Sequence, residues 1–254
     1  MRRHIPNLLT CLNLIFGCCA CIFALDGNYF GSMIAIMIAA GFDFADGFAA
    51  RLLNAFSPIG KDLDSLADII SFGVAPGMML YDFLNTTQKT VDWNNPVTGK
   101  FFLLTAFVIP VFSALRLAIF NNDTRQKSSF IGLPVPAHAL FWASLIYVIS
   151  LSVEETTISG MIPLISFRLP CLSPLFMLIF ITCITIGSSL LLVSNIPMFS
   201  MKIKSPAWKG NEMRYVLILT AVVFIVCFGF LGITLTILSY ILMSYFTHNK
   251  SINH

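Results

Sequence analysis

Long apolar runs separated by short polar segments dominate this chain, and this pattern most constrains its fold. A helix needs about 20 predominantly apolar residues to cross the roughly 30 Å hydrocarbon core of a bilayer. The last run is too long for one span, and Gly229 and Gly232 divide it into two. The pattern predicts an all-α, polytopic membrane bundle of about eight transmembrane helices, forming a single domain over residues 1–254. The runs cover residues 8–25, 29–51, 62–84, 101–120, 136–151, 174–195 and 215–246.

Composition supports a membrane protein and argues against a nucleic-acid-binding one. Hydrophobic residues make up 57% of the chain and charged residues 11%, with a mean hydropathy of +0.86. In soluble domains about a quarter of the residues are charged. The net charge of +3 is small, and no dense basic run is present. We therefore expect the lipid bilayer, and no nucleic acid, as a partner.

Residues 41–76 hold five of the twelve acidic residues between apolar runs. The segment predicts two helices joined by a turn at residues 57–60. On the first helix, carboxylates and small residues recur every three or four residues, so they lie on one face. On the second helix, two carboxylates lie four residues apart and also share a face. The residues on the two faces are Asp43, Asp46, Gly47, Ala50 and Arg51, then Asp64 and Asp68.

Four carboxylates in apolar surroundings repel one another and need a positive partner. Hard divalent cations such as Mg²⁺ or Mn²⁺ take oxygen ligands and often share them with substrate phosphates. A solvated acidic turn between membrane helices is the alternative interpretation. Gly47 and Ala50 on the carboxylate face favour the cation site, because small residues allow a ligand to approach the backbone.

The spacing Asp43-x2-Asp46-Gly47-x2-Ala50-Arg51-x8-Gly60-x3-Asp64-x3-Asp68 resembles the motif of the CDP-alcohol phosphotransferases, with every fixed position present. A looser resemblance to the phosphatidylserine synthases within that family extends over four further segments. These are IPNLLTCLNLIFG at 5–17, SFGVAPG at 71–77, SALRLAIFN at 113–121 and FIGLPVPA at 130–137.

The family resemblance implies transfer of a phosphatidyl group from CDP-diacylglycerol to an alcohol, with release of CMP. It implies Mg²⁺ or Mn²⁺ held by Asp43, Asp46, Asp64 and Asp68, with Asp68 also accepting the proton of the alcohol. Two alternatives stay open: helix N-capping by Asn7 and Thr10, and an intrahelical salt bridge from Arg51. The positions that the resemblance assigns to CDP-diacylglycerol binding are Asn7, Thr10, Gly47, Ala50, Arg51, Ser57 and Gly60.

The longer resemblance implies L-serine as the acceptor alcohol. Arg116, inside the fourth apolar run, is a candidate for binding the serine carboxylate, although snorkelling to the interface is an alternative. Glycerol 3-phosphate or inositol are alternative acceptors, and a cation transporter is a competing class of function. A phosphorylated acceptor would make more use of four cations, namely Arg125, Lys127, Lys202 and Lys204.

Twelve of the fifteen Lys and Arg residues fall on the side of the N-terminus when the predicted helices are threaded through a membrane. This asymmetry predicts that both termini and the acidic site are cytoplasmic, in an inner membrane. A homodimer is expected from the family and from Gly73-x3-Gly77, a small-residue pattern that also serves packing within one chain. The three cations on the opposite side are Lys89, Lys100 and Arg168.

Overall fold

A computed structural model describes residues 4–55, 57–91, 96–122, 130–153, 173–198 and 211–252. The described residues form helices joined by short connections, with one pair of two-residue strands. The helices are α1 (Ile5–Leu25), α2 (Tyr29–Leu52), α3 (Pro58–Asp68), α4 (Ala75–Gln88), α5 (Pro96–Thr105), α6 (Val108–Asn122), α7 (Val135–Val153), α8 (Pro174–Leu192), α9 (Glu212–Phe228) and α10 (Leu231–Ile252), and the strands are β1 (Phe130–Ile131) and β2 (Pro197–Met198).

Five helical segments within the described ranges are long and apolar enough to cross a membrane. Two shorter apolar helices, Val135–Leu151 and Leu231–Phe246, accompany them. With α3 and α4 counted as one segment and α5 and α6 as another, the described ranges hold eight helical segments. Gly229, at φ +58°, ends α9 and confirms the predicted division of the last apolar run. The predicted all-α membrane bundle is confirmed.

The continuous helical segment Pro58–Gln88 is the centre of the bundle. More than half of its most apolar window is buried, against a third or less in the other four spanning segments. Gly73 and Gly77 let α6 approach closely, since a Cβ on Gly77 would lie 3.0 Å from Pro110 Cδ. This small-residue pair therefore packs within the chain. The predicted homodimer loses that support and stays a prediction from the family.

A π-helical turn, Ile69–Val74, interrupts the central segment just before Pro76. Proline has no backbone N–H, and its ring clashes with the carbonyl four residues earlier, so a regular α-helical ladder cannot continue through it. The wider turn absorbs this break. Asp68 ends α3 immediately before the turn, so the irregular backbone adjoins the acidic segment.

The central segment begins and ends outside the predicted bounds of 62–84. Ser57 caps α3 by accepting from Gly60 N at 3.0 Å, and Pro58 occupies the first turn, where its missing N–H costs nothing. The predicted turn at 57–60 was therefore wrong: its last three residues are helical. At the other end α4 continues to Gln88, where Thr87 Oγ1 donates to Phe83 O at 2.8 Å.

The segment before α7 is bound to the end of α8. Strands β1 and β2 pair antiparallel, with Phe130 opposite Met198. Next to the strands, Gly132 N donates to Ile196 O at 2.9 Å and Leu133 N donates to Leu191 O at 3.0 Å. Gly132 has φ +77°, a conformation that glycine adopts readily. Two-residue strands carry no periodic signal, so the sequence did not predict this connection.

Candidate active site

Three of the four predicted metal ligands meet where α2 and α3 converge. One carboxylate oxygen from each of Asp43, Asp64 and Asp68 lies within 4.8 Å of the other two. Two ligand oxygens on opposite sides of one Mg²⁺ are about 4.2 Å apart. The three carboxylate oxygens are therefore nearly as close together as the ligands of one metal ion. Asp64 Oδ1 is buried with no hydrogen-bond partner. We call Asp43, Asp64 and Asp68 the carboxylate cluster.

Asp46 lies on α2 one turn from Asp43 but outside that 4.8 Å group. It is 6% exposed, and its Oδ2 accepts from Thr10 Oγ1 at 2.5 Å. Thr10 lies in the second turn of α1, which begins at Ile5, so it does not cap that helix. The role of Asp46 as a metal ligand stays a prediction.

Asn13 is a site residue that sequence reasoning missed. It is fully buried in α1, and its Nδ2 donates to Asp68 Oδ1 at 3.1 Å. Its backbone carbonyl also accepts from Ser71 Oγ at 3.0 Å, in the π-helical turn. The available signal was the spacing of Thr10, Asn13 and Gly17, which places two polar residues and a glycine on one face of an apolar helix.

One face of α1, which we call the α1 seam, contacts the acidic segment at four positions spaced three or four residues apart. At the end of the seam, Gly17 permits close packing, because a Cβ there would lie 2.8 Å from Ser71 Cα. The seam thus fixes the acidic segment against α1 over about three turns. Its contacts pair Asn7 with Gly60, Thr10 with Asp46, Asn13 with Asp68 and Gly17 with Ser71.

Three of the predicted nucleotide-binding residues lie together at the start of α3. A Cβ on Gly60 would lie 2.9 Å from Ser57 Oγ and 3.0 Å from Asn7 Oδ1, so only a glycine leaves this approach open. The Ser57 hydroxyl accepts a hydrogen bond as the α3 cap and keeps its own proton to donate. The structure therefore brings polar groups from α1 and α3 to one end of the carboxylate cluster.

The remaining predicted nucleotide contacts lie on the last turns of α2. Gly47 and Ala50 are half-buried, and Arg51 is exposed. Arg51 Nε donates to the Gly47 carbonyl at 2.9 Å. Within the described residues, the intrahelical salt bridge that was left open for Arg51 is not formed. The side chain of Arg51 is exposed, so its guanidinium is accessible to a ligand.

Arg116, the predicted acceptor-binding residue, is buried in α6 at 4% exposure. Its guanidinium carbon lies 5.1 Å from the centroid of the Phe120 ring, and its Nε is buried without a hydrogen-bond partner. Burial argues against snorkelling. A cavity of about 90 Å³ adjoins it, which we call the α6/α8 cavity. Its lining residues are Arg116, Ile119, Ile131, Leu192, Val193, Ser194 and Asn195.

Two contacts set the depth of Arg116 relative to the acidic segment. A Cβ on Gly73 would lie 3.2 Å from Ser113 Cβ, and Asn121 Nδ2 donates to Ser65 Oγ at 2.8 Å. These anchors are eight residues apart on both helices and run in opposite order. Along the helix axes, Arg116 therefore lies at the level of the residues just after α3, less than one helical turn from the level of Asp68.

The helical bundle and the carboxylate cluster together define a membrane-embedded protein with a site suited to a divalent cation. The chain belongs to the CDP-alcohol phosphatidyltransferase family, which matches residues 3–169, about two thirds of its length. The family predicted from residues 43–68 is thus confirmed. The cations Arg125, Lys127, Lys202 and Lys204 lie outside the described residues.

Curated relatives within this family include serine phosphatidyltransferases. The chain is 37% identical over 134 residues to the CDP-diacylglycerol–serine O-phosphatidyltransferase of Bacillus subtilis, covering 53% of this chain and 70% of that protein. It is 33% identical over 204 residues to the Mycobacterium leprae protein of the same name, covering 78% and 58%. An archaetidylserine synthase of Methanothermobacter thermautotrophicus is 34% identical over 140 residues, covering 54% of each chain.

Proposed function

We propose that this protein transfers the phosphatidyl group of CDP-diacylglycerol to L-serine, forming phosphatidylserine and CMP. The observation that supports a phosphotransferase is the carboxylate cluster in a chain of this family. The names of the relatives support serine as the acceptor. The chain spans 54 to 70% of the length of the three relatives described above. The assignment of its substrates is therefore part of this proposal.

The donor set fits a hard divalent cation. It consists of carboxylate oxygens alone, and one of them, Asp64 Oδ1, is buried without any other partner. We propose that Asp43, Asp46, Asp64 and Asp68 hold Mg²⁺ or Mn²⁺. When bound, the cation neutralises the pyrophosphate and stabilises the departing CMP.

We propose that Asp68 accepts the proton of the serine hydroxyl. Asn13 donates to its Oδ1, which fixes the carboxylate and leaves Oδ2 for another partner. As the proton leaves, the serine oxygen forms a bond to the phosphorus that carries the diacylglycerol. The bond from that phosphorus to the bridging oxygen breaks, and its electron pair leaves with CMP.

We assign the other predicted residues to the two substrates. Asn7, Ser57 and Gly60 form the polar end between α1 and α3, and we assign them to CDP together with Thr10 and the α2 face. Gly47, Ala50 and Arg51 complete this assignment. Arg116 is assigned to the serine carboxylate, because a buried guanidinium with a free N–H is an effective carboxylate donor.

We assign the whole reaction to the cytoplasmic face of the inner membrane. Asp43 and Asp46 lie in the last three turns of α2, and Asp64 and Asp68 lie in α3, the next helix. We assign this segment to one membrane surface, with residues 41–76 as the catalytic region of a single membrane domain. The excess of Lys and Arg on the same side supports a cytoplasmic site and cytoplasmic termini. Cytosolic serine would then reach the site without crossing the bilayer.

Release of CMP by purified protein in phospholipid vesicles tests the proposal. We expect CMP release and labelled lipid when CDP-diacylglycerol and labelled L-serine are both present, and neither product when one substrate is omitted. Glycerol 3-phosphate and inositol serve as competing acceptors. Incorporation of either one in place of serine would refute the acceptor, while absence of CMP with every alcohol would refute the enzyme class and favour a transporter.

A further inference from the structure

Three hydrogen bonds join the end of α6 to α3, the helix that carries Asp64 and Asp68. Asn121 Nδ2 donates to Ser65 Oγ at 2.8 Å, and Ser65 Oγ donates to Lys61 O at 3.2 Å. Lys61 Nζ donates to Asn121 O at 3.1 Å, which closes a ring of three bonds. We call Lys61, Ser65 and Asn121 the α3/α6 clamp. Each of its members donates one bond and accepts one, so the three bonds strengthen one another.

The α3/α6 clamp spans the π-helical turn, Ile69–Val74, that separates α3 from α4. A π-helical turn is one of the places where a helix bends. On the far side of the clamp, α6 is packed against the turn and against α4. A Cβ on Gly73 would lie 3.2 Å from Ser113 Cβ, and one on Gly77 would lie 3.0 Å from Pro110. The clamp therefore braces α3 against a helix that is fixed at and beyond the turn.

Asp64 depends on this brace more than the other carboxylates of α2 and α3 that accept bonds from α1. Its Oδ1 is buried with no hydrogen-bond partner, whereas Asp46 and Asp68 each accept a bond from α1. The position of Asp64 Oδ1 is therefore set by the backbone of α3. Asp64 lies in the single turn between Lys61 and Ser65, the two positions that the clamp holds. A displacement of this turn would move Asp64 out of the carboxylate cluster.

We infer that Asn121 is a positioning residue for the divalent cation. Through Ser65 and Lys61 it holds α3 where Asp64 lies beside the other members of the carboxylate cluster, so the site is formed before the cation arrives. A preformed site binds more tightly, because less conformational freedom is lost on binding. This inference rests on the proposed function and adds to it a residue that acts through Ser65 and is not itself a ligand.

Binding of Mn²⁺ to the purified, substrate-free protein in detergent tests the inference. The electron paramagnetic resonance signal of free aqueous Mn²⁺ gives the dissociation constant. Asn121→Ala should raise this constant about 3- to 10-fold, within the range that loss of one neutral hydrogen bond produces. Asn122→Ala is the matched control, because the neighbouring amide donates to Ala118 O in its own helix at 3.0 Å. The control should keep the wild-type dissociation constant.

Variants of Ser65 test the same bond from the side of α3. Ser65→Ala should weaken Mn²⁺ binding by a similar factor, and Ser65→Thr, which keeps the hydroxyl, should retain the wild-type affinity. The double variant Asn121→Ala/Ser65→Ala should bind Mn²⁺ about as weakly as either single variant, since both changes remove the same bond. If the two factors multiplied, the residues would act independently, and the inference would be overturned.

Kinetics separate positioning of the cation from contact with the substrates. In Asn121→Ala, half-maximal CMP release should need about 3- to 10-fold more Mn²⁺, in line with the weaker binding. At saturating Mn²⁺, the KM values for serine and CDP-diacylglycerol should stay unchanged. A raised serine KM together with wild-type Mn²⁺ affinity would overturn the inference, because Asn121 would then act on the acceptor.

Thermal unfolding in the same detergent checks that each variant is folded, and Ser65→Ala replaces Asn121→Ala if the latter is not. An unchanged Mn²⁺ dissociation constant in the folded variants would overturn the inference. Wild-type protein that binds Mn²⁺ but forms no phosphatidylserine would refute the proposed function and leave the positioning role in place. Wild-type protein that binds no Mn²⁺ would refute the metal site and the inference with it.

Discussion

Replacing Asn13 by alanine tests whether α1 contributes to catalysis without contacting substrate. Asn13 is fully buried, and its amide donates to Asp68 Oδ1 at 3.1 Å. Alanine removes this donor and leaves a buried carboxylate oxygen with one partner fewer. Asp68 is then free to rotate away from the orientation in which we propose that it receives the serine proton. We therefore expect Asn13→Ala to lower kcat, with little effect on the KM for serine.

The expected magnitude is set by the kind of bond that is lost. A hydrogen bond to a charged group is worth about 1.5–3 kcal/mol, and each 1.36 kcal/mol changes a rate about tenfold. The predicted loss in kcat is therefore about 10-fold to 150-fold. Asn13→Asp preserves the shape but replaces the donor by a carboxylate 3.1 Å from Asp68. The loss in kcat for Asn13→Asp should be at least as large as that for Asn13→Ala, because the two carboxylates repel each other.

The assay is CMP release at saturating serine and CDP-diacylglycerol, with thermal unfolding in the same detergent. Asn85→Ala is the control, because this amide bonds Gln88 at 3.2 Å in α4, 17 residues along the chain from Asp68. A wild-type kcat in folded Asn13→Ala protein would refute the positioning role. A loss of activity that only accompanies a loss of folded protein would refute it equally.

Three further predictions concern the metal, the segment before α7 and the assembly. Excess chelator should abolish CMP release, and Mg²⁺ or Mn²⁺ should restore it; full turnover in chelator would contradict this. Folded but nearly inactive protein is expected from each of four substitutions, Asp43→Asn, Asp46→Asn, Asp64→Asn and Asp68→Asn. Gly132→Ala should lower the unfolding temperature, because the left-handed conformation costs about 1–2 kcal/mol with a Cβ and Leu192 O lies in its way; an unchanged temperature would contradict it. Mass measurement in mild detergent should give a homodimer, and a monomer alone would contradict that expectation.

The sequence predicted the bundle and much of the site because both have periodic signals. Apolar runs of membrane length predict helices directly, since the bilayer excludes other spanning structures for such segments. Carboxylates at spacings of three and four residues predict a shared face. Asp43, Asp64 and Asp68 accordingly lie together.

The features that the sequence did not predict depend on contacts between distant segments. Asn13 meets Asp68 across 55 residues of chain, and a single asparagine in an apolar run does not indicate its partner. The β1 and β2 strands have two residues each, too few to show an alternating pattern. The start of α3 was misplaced because Ser57 and Pro58 are also typical of turns, and only a helix directly after them makes them a cap and a first-turn residue.

The α1 seam explains how a site with several carboxylates is held without a cationic side chain beside each one. Thr10 and Asn13 each donate one hydrogen bond to one carboxylate oxygen, of Asp46 and Asp68 respectively. Such neutral donors stabilise the ionised form but leave its charge in place. A lysine or arginine at these positions would compete with any bound cation for the same oxygens. The seam therefore orients the carboxylates while their remaining oxygens, including the unpartnered Asp64 Oδ1, stay available to a cation.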